Sequence, residues 1–521
     1  MLSHCGLSLS LWVRSPMVET VSESPSYKPD EHFASQNGDR WLRPLSYAAI
    51  ATFFLSLIAY NFVDIDLWHQ MALIRESLSA GHLLKADPFA YTPTRNPWID
   101  HEWGAGVIAF FLTSWFGGRA ILAVKFFLAL GTGLLCARCA ERSGADFRLV
   151  AACAPLAIFL AHLGFFTALR AQAYTFFFTA LLMLLWQRGL QEWRSIVAWL
   201  LLFPLWVNLH GGFVVGIAFM ALYCLEQFFR GKDGRRLLWV LFGMLAETVL
   251  TPYGTSYFGY LKRALIMSRP YAPEWRPVWD LGPFWVICFG LAVSVIFYAL
   301  KSAGLRNLPG ILPLAATAVE AALHRKLLPL FAIAWICYVP FYFQQTPAGR
   351  WMLGFMQRRS RFVQLAWATL GCVCLVATIR QRPWEISVPQ PIYPVGPVQY
   401  LSAHKFQGNV MTPFRLGAYV SWKLFPAVKV SLDSRYEETY PDQVMGDIFG
   451  FYQARPGWRD VLEKYATNVV LMPKESPAYE KMGETGWRLV YQDREFALYS
   501  DLGGSLPVED KTSMSFAGEF P

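Results

Sequence analysis

Along much of this chain, windows of roughly 15–20 residues pass with almost no charge, the length a helix needs to cross a hydrocarbon core of about 30 Å. Apolar runs lie near 47–63, 104–115, 120–137, 149–163, 173–186, 196–209, 213–229, 237–250, 284–300, 311–323, 327–343 and 362–378. Of 521 residues only 16% are charged and 55% are hydrophobic, whereas a soluble chain carries about 25% charge. The expected fold is mainly α: a polytopic transmembrane helical bundle of about 11–13 spans.

Basic residues orient these runs, because cytoplasmic loops carry the excess of Lys and Arg. Arg40 and Arg43 precede the first run, which places the N-terminus in the cytoplasm. The clusters Arg138/Arg142/Arg148, Arg188/Arg194, Arg230/Lys232/Arg235/Arg236, Lys301/Arg306 and Arg350/Arg358/Arg359/Arg361 mark further cytoplasmic connections. Residues 163–171, 210–212, 251–280, 323–326 and everything after Arg380 then fall outside. One conflict remains: 104–137 holds two apolar runs where the charges want one net crossing. Either one run is interfacial or re-entrant, or the Arg138 connection is outside. The net charge of +9 is loop bias, not a nucleic-acid footprint.

Residues 1–43 read as a disordered cytoplasmic N-terminus rich in Ser, Pro and Glu, without signal-peptide features. Eight of the nine cysteines sit in apolar segments and none follows Cys374, so no disulfide framework is expected beyond the membrane. Cys136 and Cys139, spaced CxxC, read as one helix face.

The segment 61–103 differs from an ordinary connector. It holds Asp64, Asp66, Asp87, Asp100 and Glu102 with His69, His82 and His101. Acids gathered at one membrane boundary need a reason. Residues 67–80 read as a helix with Leu67, Trp68, Met71, Ile74 and Leu78 on its apolar face and His69, Arg75, Glu76 and Ser79 opposite. Such a helix should lie flat in the interface and stop at Gly81. Trp98 and Trp103 fit the headgroup level.

After Pro383 the composition changes. Strands are expected at 409–412, 428–432, 468–472, 487–491 and 496–499, with helices at 398–405, 458–466 and 478–482 between them. This alternation gives a small C-terminal α/β extracytoplasmic domain over 384–500, docked on the acidic segment, followed by a disordered tail at 501–521.

Several residues could carry chemistry. Asp64 and Asp66, one residue apart past a membrane helix, suit an activated nucleophile or a divalent cation, although Asp66 could simply cap the helix from Leu67. Asp87, His101 and Glu102 are candidate substrate contacts, and Asp66, Asp100 and Glu102 a candidate oxygen-rich site for Mg²⁺ or Mn²⁺. Arg170 and Arg325, the latter beside Lys326, stand in outer gaps between apolar runs. Their forked donors suit phosphate, although they could instead snorkel to the interface. Glu274 and Trp275 suit a sugar ring, or pin their loop. Asp433 and Arg435 follow a strand of the C-terminal domain, where ligands gather, or pair internally. Asn208-Leu209-His210-Gly211-Gly212 reads as a turn between two spans. There is no Walker loop, GxGxxG, GxSxG or HExxH, which argues against an ATPase, a dinucleotide enzyme, an α/β-hydrolase or a zincin.

A cytoplasmic N-terminus, one span and then an outer loop with paired acids resembles the GT-C membrane glycosyltransferases. These include protein O-mannosyltransferases, lipid A aminoarabinose transferases, oligosaccharyltransferases and the Rgt-like bacterial group. The segments Asp64-Ile65-Asp66-Leu67-Trp68-His69, Asp87-Pro88-Phe89-Ala90-Tyr91-Thr92, Trp98-Ile99-Asp100-His101-Glu102-Trp103, Asn208-Leu209-His210-Gly211-Gly212, Glu274-Trp275 and Leu432-Asp433-Ser434-Arg435-Tyr436 are similar to those of a bacterial polytopic subgroup. The resemblance implies a multi-pass protein of the bacterial inner membrane with a periplasmic C-terminal domain. Its partners would be the lipid bilayer, a polyprenyl-phosphate sugar as donor, and a glycan, lipid or protein acceptor. It implies inverting transfer at the periplasmic face, with Asp66, or Asp64, as base and Arg170 and Arg325 facing the phosphate. Two other readings remain open. A lipid or polysaccharide transporter or flippase would carry charges mid-span and internal repeats, neither of which is evident. A non-catalytic envelope-assembly scaffold would tolerate loss of the loop acids.

Overall fold

In the computed structural model, residues 41–187, 192–267, 269–435, 439–501, 503 and 505–521 are described; residues 1–40, Arg188 and Tyr436 lie outside that set. Fifteen helices precede the C-terminal domain: α1 (Leu42–Ile58), α2 (Ile65–Ala80), α3 (Trp103–Phe116), α4 (Gly118–Arg142), α5 (Phe147–Ala161), α6 (Gln172–Gln187), α7 (Trp193–Leu209), α8 (Phe213–Phe229), α9 (Arg235–Glu247), α10 (Ser256–Ile266), α11 (Pro283–Ala303), α12 (Ile311–Leu323), α13 (Leu328–Gln344), α14 (Pro347–Arg358) and α15 (Ser360–Arg380).

Contacts define two faces of the bundle. At one, Arg43 at the start of α1 pairs with Glu141 near the end of α4 at 2.6 Å, and Arg230 past α8 donates to the carbonyl of Arg306 at 2.8 Å. At the other sits the C-terminal domain: Asn61, just past α1, accepts from the Ser387 N–H at 2.8 Å. Contacts at their ends carry α1, α4 to α9, α11 to α13 and α15 from one face to the other, eleven traverses among the described residues. Among the described residues five segments are long and apolar enough to cross a membrane unaided: 118–142, 147–164, 283–303, 325–344 and 360–380. The protein is a multi-pass membrane protein.

The 104–137 conflict resolves through α3. Its first residue, Trp103, donates to Asn208 at the domain face, at 2.9 Å. Just past its other end, Gly118 packs against Ile386 and Phe520, which belong to the same side. Both ends of α3 therefore lie on the domain face, and α4 alone makes the crossing. Gly117, at φ +72°, turns the chain between them, a conformation that glycine adopts at little cost.

The expectation that α2 lies flat in an interface is corrected. Its residues Leu67 to Ile74 are buried all round, His69 and Gln70 included, because α2 packs on α3 and beneath a helix of the C-terminal domain. Leu78, expected on the apolar face, is exposed instead. Gly81 ends the helix in the left-handed conformation, as expected, with its N–H donating to the Leu78 carbonyl.

The C-terminal domain has a six-stranded sheet of β2 (Gly408–Met411), β3 (Val428–Val430), β4 (Val469–Pro473), β5 (Arg488–Gln492), β6 (Phe496–Ser500) and β7 (Glu509–Asp510), with β1 (Val388–Pro389) pairing β8 (Ala517–Gly518) apart from it. The sheet order is β3-β2-β4-β6-β5-β7; β3, β2 and β4 are parallel, and β4, β6 and β5 antiparallel. The continuous Val-Val-Leu-Met run of β4 is buried on both faces, as a central strand requires. Strand expectations agree to within a residue or two. Helices at Gly417–Leu424 and Asp442–Tyr452 were not anticipated. Nor is 501–521 a loose tail: β7 pairs with β5, β8 with β1, and Phe520 packs on Trp68 with ring centroids 5.4 Å apart. Its polar composition hid backbone pairing and two anchoring aromatics.

This domain docks on the acidic segment by extending its sheet. Tyr91 N–H donates to the Val430 carbonyl at 3.0 Å, and Val430 N–H to the Phe89 carbonyl at 2.9 Å. The docked domain thus closes over the space between α2 and the outer loops.

Candidate functional site

Two chain segments bring acids to one arginine on a third. Asp64 caps α2, accepting from the Asp66 N–H at 3.1 Å, so the capping role falls to Asp64 and leaves the Asp66 side chain available. Arg170 leads into α6 and meets Asp64 through Nε at 3.1 Å, then Asp66 and Glu274 through Nη2 at 3.3 and 3.7 Å. Glu274 also accepts from Lys326 at 2.5 Å. Lys326, not Arg325, makes that contact; the Arg325 N–H donates to the Arg276 carbonyl and its residue lines the same cavity. Trp275 lies beneath two cations, with Arg269 at 4.4 Å and Lys326 at 5.2 Å from its ring centre.

These groups line a cavity of about 690 Å³ at the domain face. Phe62, Val63 and Ile392 line it too, as do His69, Gln70, His101, Glu102 and His210, and from the C-terminal domain Phe414, Arg415, Ser434 and Phe449. Stacking of Tyr271 on Phe449, centroids 4.3 Å apart, joins the 251–281 loop to the docked domain above it.

Environment sets the acids apart. Burial pushes the Asp64 carboxyl up to about 7, against the pull of Arg170. Burial opposes the ionisation of Glu274 as well, yet Lys326 and Arg170 hold it down at about 2. Burial likewise works against Glu102, but adjacent His101 holds that carboxyl below the usual range. The Asp66 side chain is 26% exposed and that of Asp64 5%, so Asp66 is the carboxylate of the pair that a ligand can reach.

His210 is the residue that sequence reasoning missed. Its Nε2 lies 3.4 Å from Glu102, whose other neighbours are His101 at 3.3 Å and Gln70. The Gly-Gly pair makes this approach feasible: a Cβ at Gly211 would run into His101, and one at Gly212 into Thr175 and His210. The signal was present in Asn208-Leu209-His210-Gly211-Gly212, but Gly-Gly is ordinary turn chemistry and a turn was the simpler reading.

The hydrogen bonds at His210 oppose a divalent cation there. Among the described residues the group within mutual ligand reach is His101, Glu102 and His210, rather than Asp66, Asp100 and Glu102. Asp100 is buried and accepts from the Glu102 N–H at 2.9 Å. His210 Nδ1 accepts from the Gly212 N–H at 3.0 Å and faces the Thr175 hydroxyl at 2.7 Å. That hydroxyl accepts from Trp206 Nε1 at 2.9 Å. With Nδ1 accepting, the proton of the neutral ring sits on Nε2 and faces Glu102. Burial pushes the ring down to about 3 and keeps it neutral. A metal on Nε2 would need that proton moved to Nδ1, against a backbone N–H. Asp64 and Asp66, for their part, already hold a fixed guanidinium.

Two expected binding residues, Asp87 and Asp433, lie off the cavity, and a third, Arg435, borders it with its side chain buried. Asp87, Asp433 and Arg435 form a sealed cluster: Arg435 reaches Asp87 and Asp433 at 2.6 Å each, with all three side chains at most 1% exposed. Phe89, Trp98 and Tyr440 surround the guanidinium. They anchor the docked domain, and Trp98 is packed there instead of at a headgroup level. Ser434 and Arg435 also border the cavity, where the Ser434 hydroxyl meets His69 Nδ1 at 3.0 Å.

Neither family models nor curated proteins match this sequence. Among solved structures, the crystal structure of ArnT from Cupriavidus metallidurans bound to undecaprenyl phosphate is similar to this chain. The two are 14% identical with a TM-score of 0.49, over 90% of this chain and 99% of that one.

Proposed function

We propose that this protein is a GT-C-type membrane glycosyltransferase that moves a sugar from a polyprenyl-phosphate donor to an envelope acceptor at the domain face. The observation that carries the proposal is the single guanidinium of Arg170, met by Asp64, Asp66 and Glu274 in a cavity at the membrane boundary, with Lys326 beside it. A lipid-linked sugar phosphate needs cations at the boundary and a carboxylate beside them, and both are here. None of the three ion pairs uses Arg170 Nη1.

In this mechanism Arg170 and Lys326, with Arg325 nearby, compensate the leaving phosphate. Asp66 accepts the proton of the acceptor hydroxyl as its oxygen bonds to the anomeric carbon. The bond from that carbon to the phosphate oxygen breaks, the configuration inverts, and polyprenyl phosphate leaves. Asp64 holds Arg170 through Nε and fixes the start of α2, so its part is positioning. Glu274 orients Lys326, and Trp275 with Glu102 and His101 offers a face and hydrogen bonds for sugar hydroxyls. Phe62, Val63 and Ile392 give the cavity an apolar side toward the bilayer, where an isoprenoid chain enters.

The test uses purified full-length protein in nanodiscs with polyprenyl-phosphate sugars. Asp66→Asn lowers transfer by about 10²-fold or more, the scale of losing a positioned base, while melting behaviour is kept. Wild-type rates in a folded Asp66→Asn protein would reject the assignment.

A further inference from the structure

A second cavity, of about 520 Å³, lies within the helical bundle on the side away from the domain face. It is bounded by stretches 43–54 of α1, 130–141 of α4 and 150–161 of α5, with α13 as its floor. Each stretch advances eleven residues, about 16 Å at 1.5 Å per residue, roughly half of a 30 Å hydrocarbon core. The groove is thus one leaflet deep, and it starts at the basic face. Its walls are small or apolar side chains, and Gly133 stands open: nothing lies within 4 Å of where its Cβ would be.

The two ends differ. At the mouth are Arg43, Arg138 and Glu141. Glu141 is taken by Arg43 at 2.6 Å and by the Tyr47 hydroxyl at 2.6 Å. Arg138 is exposed and, among the described residues, no carboxylate pairs with it, so the mouth carries one uncompensated positive charge. At the deep end Phe54 and Phe165 close the groove edge to face, centroids 5.6 Å apart. The residues after Phe165, Phe166 and Thr167, line the cavity around Arg170. The aromatic pair therefore separates the groove from that cavity, and a donor whose phosphate sits at Arg170 cannot lay its chain here.

We propose that this groove is a binding site for one anionic phospholipid of the leaflet opposite the domain face, its acyl chain along Gly133 and its phosphate at Arg138. Depth selects a single chain from one leaflet, and the unpaired guanidinium selects a negative headgroup. The lipid fills the seam between α1, α4, α5 and α13. The site is independent of the glycosyltransferase proposal, since none of its residues touches the Arg170 cavity.

The experiment is native mass spectrometry of full-length protein released from nanodiscs of equimolar phosphatidylglycerol and phosphatidylcholine. Wild type is expected to retain one lipid, with phosphatidylglycerol favoured about tenfold, equivalent to one well-placed charge contact. Gly133→Leu fills the groove and abolishes retention. Arg138→Gln keeps a bound lipid but brings the two headgroups to parity, and this decides the matter should Gly133→Leu fail to fold. No retained lipid in wild type, a headgroup ratio unmoved by Arg138→Gln, or co-purification of an isoprenoid in this groove overturns the proposal.

Discussion

Arg170 and Arg435 are built from the same parts and placed to opposite ends. Each guanidinium is held by carboxylates from separate segments, and each joins the acidic loop to another part of the chain. Arg435 is enclosed by Phe89, Trp98 and Tyr440 and has no solvent edge. Arg170 lines an open cavity, with a second cation nearby and two of its carboxylates, Asp66 and Glu274, partly exposed. Equivalent ion clusters therefore say little until their walls are known: a sealed one fixes a domain, and an open one can exchange partners with a ligand.

The largest effect should come from breaking the sealed cluster. Arg435→Met leaves Asp87 and Asp433 buried without compensation and should cost about 3–5 kcal/mol, read as a fall in melting temperature and faster proteolysis of the C-terminal domain. A cost near zero would mean the cluster does not anchor that domain. Next, Arg170→Ala should lower sugar transfer by about 10²–10³-fold, the size seen when one electrostatic donor is removed. Its stability should fall less than that of Arg435→Met, because the Asp64 carboxyl, already near 7, can take up a proton. A stability loss equal to that of Arg435→Met, with transfer intact, would erase the distinction between the clusters.

A smaller effect concerns pH. The Asp64 carboxyl is raised to about 7 in the folded protein, against about 3.9 in an unfolded chain. Between these values the folded state holds the proton that the unfolded state has released. Stability from this group is complete below about pH 4 and is lost as pH rises through 7. Asp64→Asn retains a good helix cap and should lack that decline, which melting curves from pH 4 to 8 would show. Parallel curves would sink the raised value. The smallest effect is expected from metal removal: the tautomer at His210 opposes ligation at the His101, Glu102 and His210 group and predicts less than about a twofold change in transfer on chelation. A strong loss restored by Mn²⁺ or Mg²⁺ would contradict the proton placement on His210.

Much of the architecture was legible because it rests on one-dimensional physics. Apolar runs mark the helices, basic clusters mark one face, and Val-rich stretches mark β2 to β6. Asp64, Asp66, Arg170 and Glu274 stood out because charge at a membrane boundary is scarce. What failed had local explanations that were equally good. His210 looked like part of a turn, and 501–521 looked polar and loose. The apolar face of α2 suggested an interface, yet protein covers both of its sides.

The sequence by itself settled that this chain builds a helical bundle for lipid with an α/β domain on one side, because hydropathy and charge act on each segment separately. Only the tertiary structure decided which arginine has its side chain sealed and which is open to a ligand, that α3 stays on one face, and which nitrogen of His210 carries its proton. Those outcomes depend on residues a hundred or more positions apart meeting in space, and no local pattern records such a meeting.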